Sequence, residues 1–242
     1  MISDYWQKKY RDDAGKSWNI FYKRNTNKFF KDRHWVLREF PEILTIKVLF
    51  EVGCGVGNFI LPLLEERLKV HNFSHLYACD ISPNAINILQ ADSRYNPQHL
   101  TVFVADFSQP NICPSLGTSM ASPPSAIALV FVLSAIAPEN HQTVFNNLAA
   151  LLPTGGKIFF RDYAAEDAAQ HRFKADRHLG GRLWIRGDGT FAYYFETEEF
   201  TSLCSNAGLF VEKISIVERD TVNAKLDISL ERKFLQATLI KL

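Results

Sequence analysis

The chain has 242 residues, 47% of them hydrophobic and 22% charged, with a net charge of +1. That balance supports a folded core and excludes extended disorder, and the length fits one domain, or one domain with appendages. No apolar run approaches the roughly 18 residues that a membrane span requires.

Four cysteines (Cys54, Cys79, Cys113, Cys204) lie far apart with no C-x-x-C pair, so they read as reduced thiols, not a disulfide framework or a zinc site. The N-terminus MISDYWQKKYRDD has no apolar signal core, and its acids argue against a transit peptide. The expected location is cytoplasmic, with the nucleus also open. The near-zero net charge hides an asymmetry. Residues 1–40 carry ten Lys/Arg against five Asp/Glu, whereas the rest is net acidic. A second basic cluster, HRFKADRHLGGRLWIR (His171 to Arg186), holds five Lys/Arg and one acid. Such basic surface is either merely solvated or turned toward a polyanion.

In chain order, residues 1–45 read as helical and loop segments rich in aromatics and charges. Within them NKFFKDRHW (Asn27 to Trp35) fits neither a helical nor a strand period. From Lys47 strands and helices alternate. KVLFEV is a buried parallel strand, NFILPLLEERL a helix and LYACD a second strand. SPNAINILQADSR is a helix with Ser82 as N-cap and Pro83 at its first position. LTVFVADF is a third strand. SQPNICPSLGTSMASPPS is loop, AIALVFVLSAI a fourth strand, and ENHQTVFNNLAALLP a helix ended by Pro153 and Gly155-Gly156. KIFFRDY is a fifth strand. RLWIRGDGTFAYYF gives two strand-like runs around Asp188-Gly189, a hairpin signal in which the embedded RGD is turn chemistry. ETEEFTSLCSNAG is a helix, and LFVEKISIVERDT and RKFLQATLIKL are antiparallel strands at the sheet edge. The alternation predicts an α/β fold with a mostly parallel sheet covered on both faces.

FEVGCGVGN (Phe50 to Asn58) places Gly53, Gly55 and Gly57 between a strand and a helix. Glycines there allow positive φ and close approach of a ligand to the backbone. The spacing is G-x-G-x-G, not the G-x-G-x-x-G of a pyrophosphate loop. Glu51, two residues before the first glycine, suits a ligand carrying an ammonium and a sulfonium better than phosphates. Asp80 ends the second strand, where a carboxylate can accept from both ribose hydroxyls. Asp106 ends the third, placed to accept from an adenine amino group with Phe107 beside the base. One acid at a strand end is ordinary loop capping. Three at successive carboxyl ends beside a glycine loop point to a ligand.

This constellation resembles the class I S-adenosylmethionine-dependent methyltransferases over roughly residues 45–240. The resemblance implies a Rossmann-like fold with a mostly parallel seven-stranded sheet and helices on both faces, and S-adenosylmethionine along Gly53–Gly57, Asp80 and Asp106. A narrower resemblance, to the tRNA 3-methylcytidine methyltransferases, rests on WNIFYKRNTNKFFKDRHWVLREFPE, EVGCGVGNFILPLLEE, YACDISPNAI, VFVLSAIAPE, FRDY, RFK, RGDGTFAYYF and RDTVN. It is most similar to the cytosolic branch acting on serine tRNA. It implies methyl transfer to N3 of cytidine 32 in the anticodon loop, with help from seryl-tRNA synthetase and no role for DNA or membrane.

By this resemblance residues 1–45 form a lid before a catalytic domain at 46–242, with a hairpin insertion at about 182–195. Trp18 and Tyr22, four apart on one helix face, cover the cofactor, and Val130 flanks it. Phe30, Lys31, Arg33, His34, Arg161, Arg172, Lys174 and Arg186 meet the RNA. Asp162 is the candidate carboxylate beside the exocyclic amine, with Asp32 second; either acid could instead pair with a neighbouring arginine. Ser125 stands where relatives often carry an acid, the preceding loop is unusually rich in Pro and Ser, and the chain begins close to the aromatic segment. These departures bear on tRNA affinity and partner docking more than on the cofactor.

Competing expectations are a methyltransferase acting on a protein or small molecule, and a silent cofactor-binding subunit. His71 and His75 are four apart but lack the further ligands zinc wants. No G-x-S-x-G elbow marks a serine hydrolase.

Overall fold

The computed structural model describes residues 2–70, 73–223 and 228–242. Helices α1 (Asp4–Asp12), α2 (Ala14–Asn25) and α3 (Val36–Glu39) precede a 3-10 turn at Pro41–Thr45. Then come β1 (Val48–Val52), α4 (Ile60–Val70), β2 (His75–Asp80), α5 (Pro83–Gln90) and β3 (Leu100–Val104). A short α6 (Cys113–Leu116) interrupts the segment expected to be loop. β4 (Ala126–Val130), α7 (His141–Leu151) and β5 (Lys157–Tyr163) complete the alternation. The insertion holds β6 (His178–Gly180), β7 (Leu183–Ile185) and β8 (Phe191–Tyr193). It is a three-stranded sheet, one strand more than the expected hairpin, with its own order β6-β7-β8. α8 (Thr197–Asn206), β9 (Leu209–Asn223) and β10 (Ile228–Lys241) close the chain.

The main sheet runs β3-β2-β1-β4-β5-β10-β9. The first five strands are parallel, and β10 is antiparallel to both β5 and β9. Strand order reverses between β1 and β4, so a crevice opens beyond their carboxyl ends. β1 is buried on both faces because successive side chains enter different cores. Phe50 packs with Leu129, Phe160 and the α7 and α8 face, while Leu49 packs with Leu61, Leu64 and Leu76. Each such side chain contributes about 1.5–3 kcal/mol on burial.

Ser82 caps α5 as its sequence position implies, its Oγ accepting from the Ala85 N–H at 3.1 Å. Arg67 of α4 is fully buried and donates to the carbonyls of Ile43 and Ile46, which fixes the end of the N-terminal segment. Ser125 bridges the starts of β4 and β1: its Oγ donates to the Val48 carbonyl and accepts from the Val48 N–H. It does so at the end of the sheet away from the crevice. His71 lies outside the described residues, and His75 Nε2 sits 2.8 Å from Thr101 Oγ1. Among the described residues no group of three or more His, Cys, Asp or Glu is arranged for a metal, and no helix is long and apolar enough to cross a membrane.

Candidate active site

The glycine loop follows β1 with φ of +72° at Gly53 and +53° at Gly55. A Cβ at Gly53 would overlap Val132, and one at Gly55 would overlap the Tyr22 hydroxyl. Both positions therefore need glycine for its backbone freedom and for space. Gly57, also at positive φ, packs against Leu61 and Leu89 and serves the loop rather than a cavity wall.

Beneath the loop, Glu51 is 1% exposed, and its Oε2 has no hydrogen-bond partner. Burial pushes its carboxyl up from the usual 4.5 to about 8, with Arg33 opposing and Asp80 adding to the rise. Asp80 is buried too, which raises it to about 6. Its Oδ2 accepts from the Gly55 N–H at 2.8 Å and its Oδ1 from the Ser82 N–H at 2.9 Å.

A cavity of about 470 Å³ opens beside the loop; Asp80 borders it and Glu51 does not. Gly53, Asp80, Asp106, Phe107 and Val132 border it, and α2 roofs it with Trp18 and Tyr22. Asp106 also caps its own loop. Its Oδ1 accepts from the Ser108 N–H and hydroxyl, and its Oδ2 from Gln109 Nε2. The Phe107 ring packs 5.6 Å from Phe50. Asn19 ties the roof down: its Oδ1 accepts from Ser82 Oγ at 2.9 Å and from the Asn84 N–H at 3.0 Å.

A second cavity, about 680 Å³, adjoins the first. Its walls are aromatic (Phe29, Phe30, Trp35, Phe131, Tyr163, Phe173, Tyr194, Phe234) and cationic (Lys31, Arg33, Arg172, Arg186, Arg232). Trp18, Tyr22, Gly53, Phe131 and Ala135 border both cavities. Phe131 occupies that junction with φ of +59°, a conformation costly for a bulky residue. It is held there by its N–H donating to the Arg161 carbonyl at 2.7 Å and by Arg33, which stacks on its ring at 5.1 Å and donates to the Val130 carbonyl at 2.8 Å.

Several expected site residues take other positions. Val130 is buried in the core below the crevice, and Phe131 and Val132 form the wall instead. β4 stops at Val130, so the chain turns out of the sheet well before the end of the apolar run AIALVFVLSAI that was expected to form it. Asp162 is completely buried and borders neither cavity. Its Oδ2 accepts from the Ser134 N–H and its Oδ1 from the Tyr163 N–H, both at 2.9 Å. Burial raises it to about 6. Asp32 pairs with Arg94 at 2.7 Å and accepts from Asn58, not from its neighbour Arg33.

Arg161 is 3% exposed, stacked between Trp35 at 4.3 Å and Phe234 at 5.1 Å, and so is covered by these rings rather than open to RNA. Its guanidinium is lowered to about 10 by that burial. Arg186 borders the second cavity but donates back to Thr190 Oγ1 and the Phe191 carbonyl. Lys31 and Arg172 are exposed on its rim. His34 and Lys174 are exposed away from both cavities.

Sequence reasoning missed four contributors. Asn58 fastens residues 30–33 to the glycine loop, donating to the Phe30 carbonyl and Asp32 Oδ1 while its backbone carbonyl accepts from the Arg33 N–H. Its place directly after the third glycine was the available signal. Arg232, Phe234 and Tyr163 meet only because β10 lies beside β5, with Phe234 opposite Tyr163.

The first cavity fits S-adenosylmethionine. The buried carboxylate of Asp80, the carboxylate of Asp106 and the Cβ-free backbone of Gly53 border it, as an adenosyl group requires, while Glu51 lies buried behind the loop and borders neither cavity. A model of the methyltransferase domain family matches residues 22–214. The mouse protein named tRNA N(3)-cytidine methyltransferase METTL6 is 38% identical, over 100% of this chain and 86% of its own length. The fission yeast (Schizosaccharomyces pombe) protein named tRNA N(3)-methylcytidine methyltransferase trm141 is 37% identical, over 100% and 98%. A solved S-adenosylmethionine-dependent methyltransferase from Anabaena variabilis shares the fold, with a TM-score of 0.68 at 11% identity over 95% of each chain. The cofactor is S-adenosylmethionine, and the chain belongs to the tRNA N3-cytidine methyltransferases, a family within the class I methyltransferases.

Proposed function

We propose that the protein methylates N3 of cytidine 32 in the anticodon loop of serine tRNA, assisted by seryl-tRNA synthetase. The observation that carries this reading is the junction. A cavity suited to an adenosyl cofactor meets an aromatic, cationic cavity at Trp18, Tyr22, Gly53, Phe131 and Ala135. The bound cofactor supplies a methyl on a sulfonium. The second cavity has the chemistry of a nucleotide site: flat rings for an extruded base and cations for its flanking phosphates. A baker's yeast relative carries the name tRNA(Thr) (cytosine(32)-N(3))-methyltransferase, which supports the position.

Cytosine N3 bears an in-plane lone pair and needs no base to become nucleophilic. The chain's task is to align the ring and exclude water. Stacking on Phe131, Tyr163 or Phe234 is worth about 1–3 kcal/mol per base. Trp18 and Tyr22 shut solvent from the junction as part of a lid formed by residues 1–45. Lys31 and Arg172 meet phosphate. Asp162 acts through Ser134, whose backbone it fixes at the cavity wall. The test gives the protein radiolabelled cofactor and total tRNA, with and without seryl-tRNA synthetase, and identifies the labelled nucleoside. The expected product is 3-methylcytidine; label on any other nucleoside overturns the reading.

A further inference from the structure

The carboxylates around the second cavity are already engaged, with one exception. Asp162 is occupied by two backbone N–H groups, and Asp32 by Arg94 and Asn58. Asp167 is fully buried, accepts from Arg232 Nε with both oxygens at 2.9 Å, and also takes the N–H of Lys233. Asp188 is the one acid among the described residues that border the cavity.

Asp188 sits in the turn between β7 and β8. Its Oδ1 accepts from the Thr190 N–H at 3.0 Å and the Thr190 hydroxyl at 2.7 Å, which orients the carboxylate. Among the described residues no Lys, Arg or His comes within 4.0 Å of it as an ion-pair partner. The turn reaches the lid: a Cβ on Gly189 would stand 3.1 Å from Ser17 Oγ, and the next residue, Trp18, borders both cavities. Asp188 thus lies on the exposed rim of the second cavity, in a turn that touches the segment carrying Trp18.

We propose that Asp188 accepts a hydrogen bond from the exocyclic amine of the target cytosine and offsets the charge that methylation places on the ring. This rests on the cytidine reading above. The N3 lone pair forms the bond to the methyl carbon. The pair of the breaking S–C bond stays on sulfur, leaving a neutral thioether, and no proton is lost. The positive charge therefore passes to the ring and spreads over N3 and the exocyclic nitrogen. Of the five cations that line the cavity only Arg232 has a carboxylate partner among the described residues, so the surplus positive charge disfavours that product, and an oriented carboxylate at the amine offsets the charge that methylation adds. The same carboxylate repels the carbonyl oxygen that uracil presents at this edge, so it also selects the base.

The test is Asp188→Asn, which keeps an acceptor for Thr190 and removes the charge. Turnover of the tRNA, calorimetric affinity for S-adenosylhomocysteine, and binding of full-length tRNA bearing cytidine or 3-methylcytidine at the target are measured side by side. The expected result is a fall in kcat of at least about tenfold, with KM for tRNA and cofactor-product affinity within about threefold of wild type. The wild type's relative preference for the methylated, cationic tRNA should also shrink. A smaller fall in kcat, a parallel loss of cofactor-product affinity, or an unaltered binding preference overturns the assignment. Wild-type protein that forms no 3-methylcytidine would instead overturn the reading on which it rests.

Discussion

Glu51 offers a quantitative test of the buried carboxylates beneath the glycine loop. Its carboxyl is held at about 8 in the folded protein against an ordinary 4.5. A folded-state value above the unfolded one means that the group favours folding below the unfolded value and that this contribution is lost as pH rises through the folded value. Between pH 5 and pH 8 the Glu51 contribution should therefore fall by on the order of 3 kcal/mol. For a domain of this size that is roughly 6–12 °C in Tm. Asp80 and Asp162, each raised to about 6, act in the same direction with a smaller share over this window. The discriminating measurement compares Tm against pH for ligand-free wild type and Glu51→Gln, whose amide does not titrate. The wild type should lose stability more steeply, the two curves diverging steadily from about pH 5 to pH 8. Parallel curves from pH 5 to 8 would show that Glu51 is solvated or paired, and the account of an unsatisfied carboxylate beneath the loop would fail.

Gly55→Ala forces an L side chain into positive φ at a cost of about 1–2 kcal/mol and pushes on the Tyr22 hydroxyl. It should weaken S-adenosylhomocysteine binding at least about tenfold by calorimetry; unchanged affinity would remove Tyr22 from the roof. Trp35→Ala strips the lid-side ring from Arg161, a buried guanidinium whose Nε already lacks a partner. Urea denaturation should show a loss of about 2–4 kcal/mol, partly recovered when Arg161→Met is added; a loss below about 0.5 kcal/mol would refute the clamp. Lys31 and Arg172 border the second cavity, exposed and without an ion-pair partner among the described residues. Replacing either with alanine should flatten the log–log salt dependence of tRNA binding by a little under about one unit, whereas an unaltered slope would place phosphate elsewhere.

The parts of this molecule that were legible in the sequence are those in which local signal and tertiary position coincide. Glu51, Asp80 and Asp106 could be read because a strand, its terminal acid and a following turn lie within a few residues. Val130 was misplaced by one residue, and in a strand one residue changes the face. The apolar run VFVL continues past the point where Phe131 turns away with positive φ. Asp162 and Arg161 suffered a related error: both adjoin the crevice in sequence, but one is drawn under Ser134 and the other under Trp35, and Tyr163 is the β5 residue that reaches the cavity. Asp32, the second candidate carboxylate, has Arg33 as its neighbour in sequence, but it pairs with Arg94 from 62 residues away. No pattern within a single segment carries such a pairing.

NKFFKDRHW is aperiodic because it obeys several constraints in succession. Phe29 and Phe30 pack edge-on at 4.8 Å and both meet Phe21, Asp32 faces Asn58 and Arg94, Arg33 holds Phe131, and Trp35 covers Arg161. A helix or strand would present these side chains to one or two faces, but here each is drawn to a different element. The consequence is coupling. Asn58 belongs to the glycine loop, and it fastens the segment that walls the second cavity. The same segment reaches the junction, because Arg33 donates to the Val130 carbonyl and stacks on Phe131. One run of nine residues is thus tied both to the loop beside the first cavity and to the ring that separates it from the second, which is why no single period could describe it.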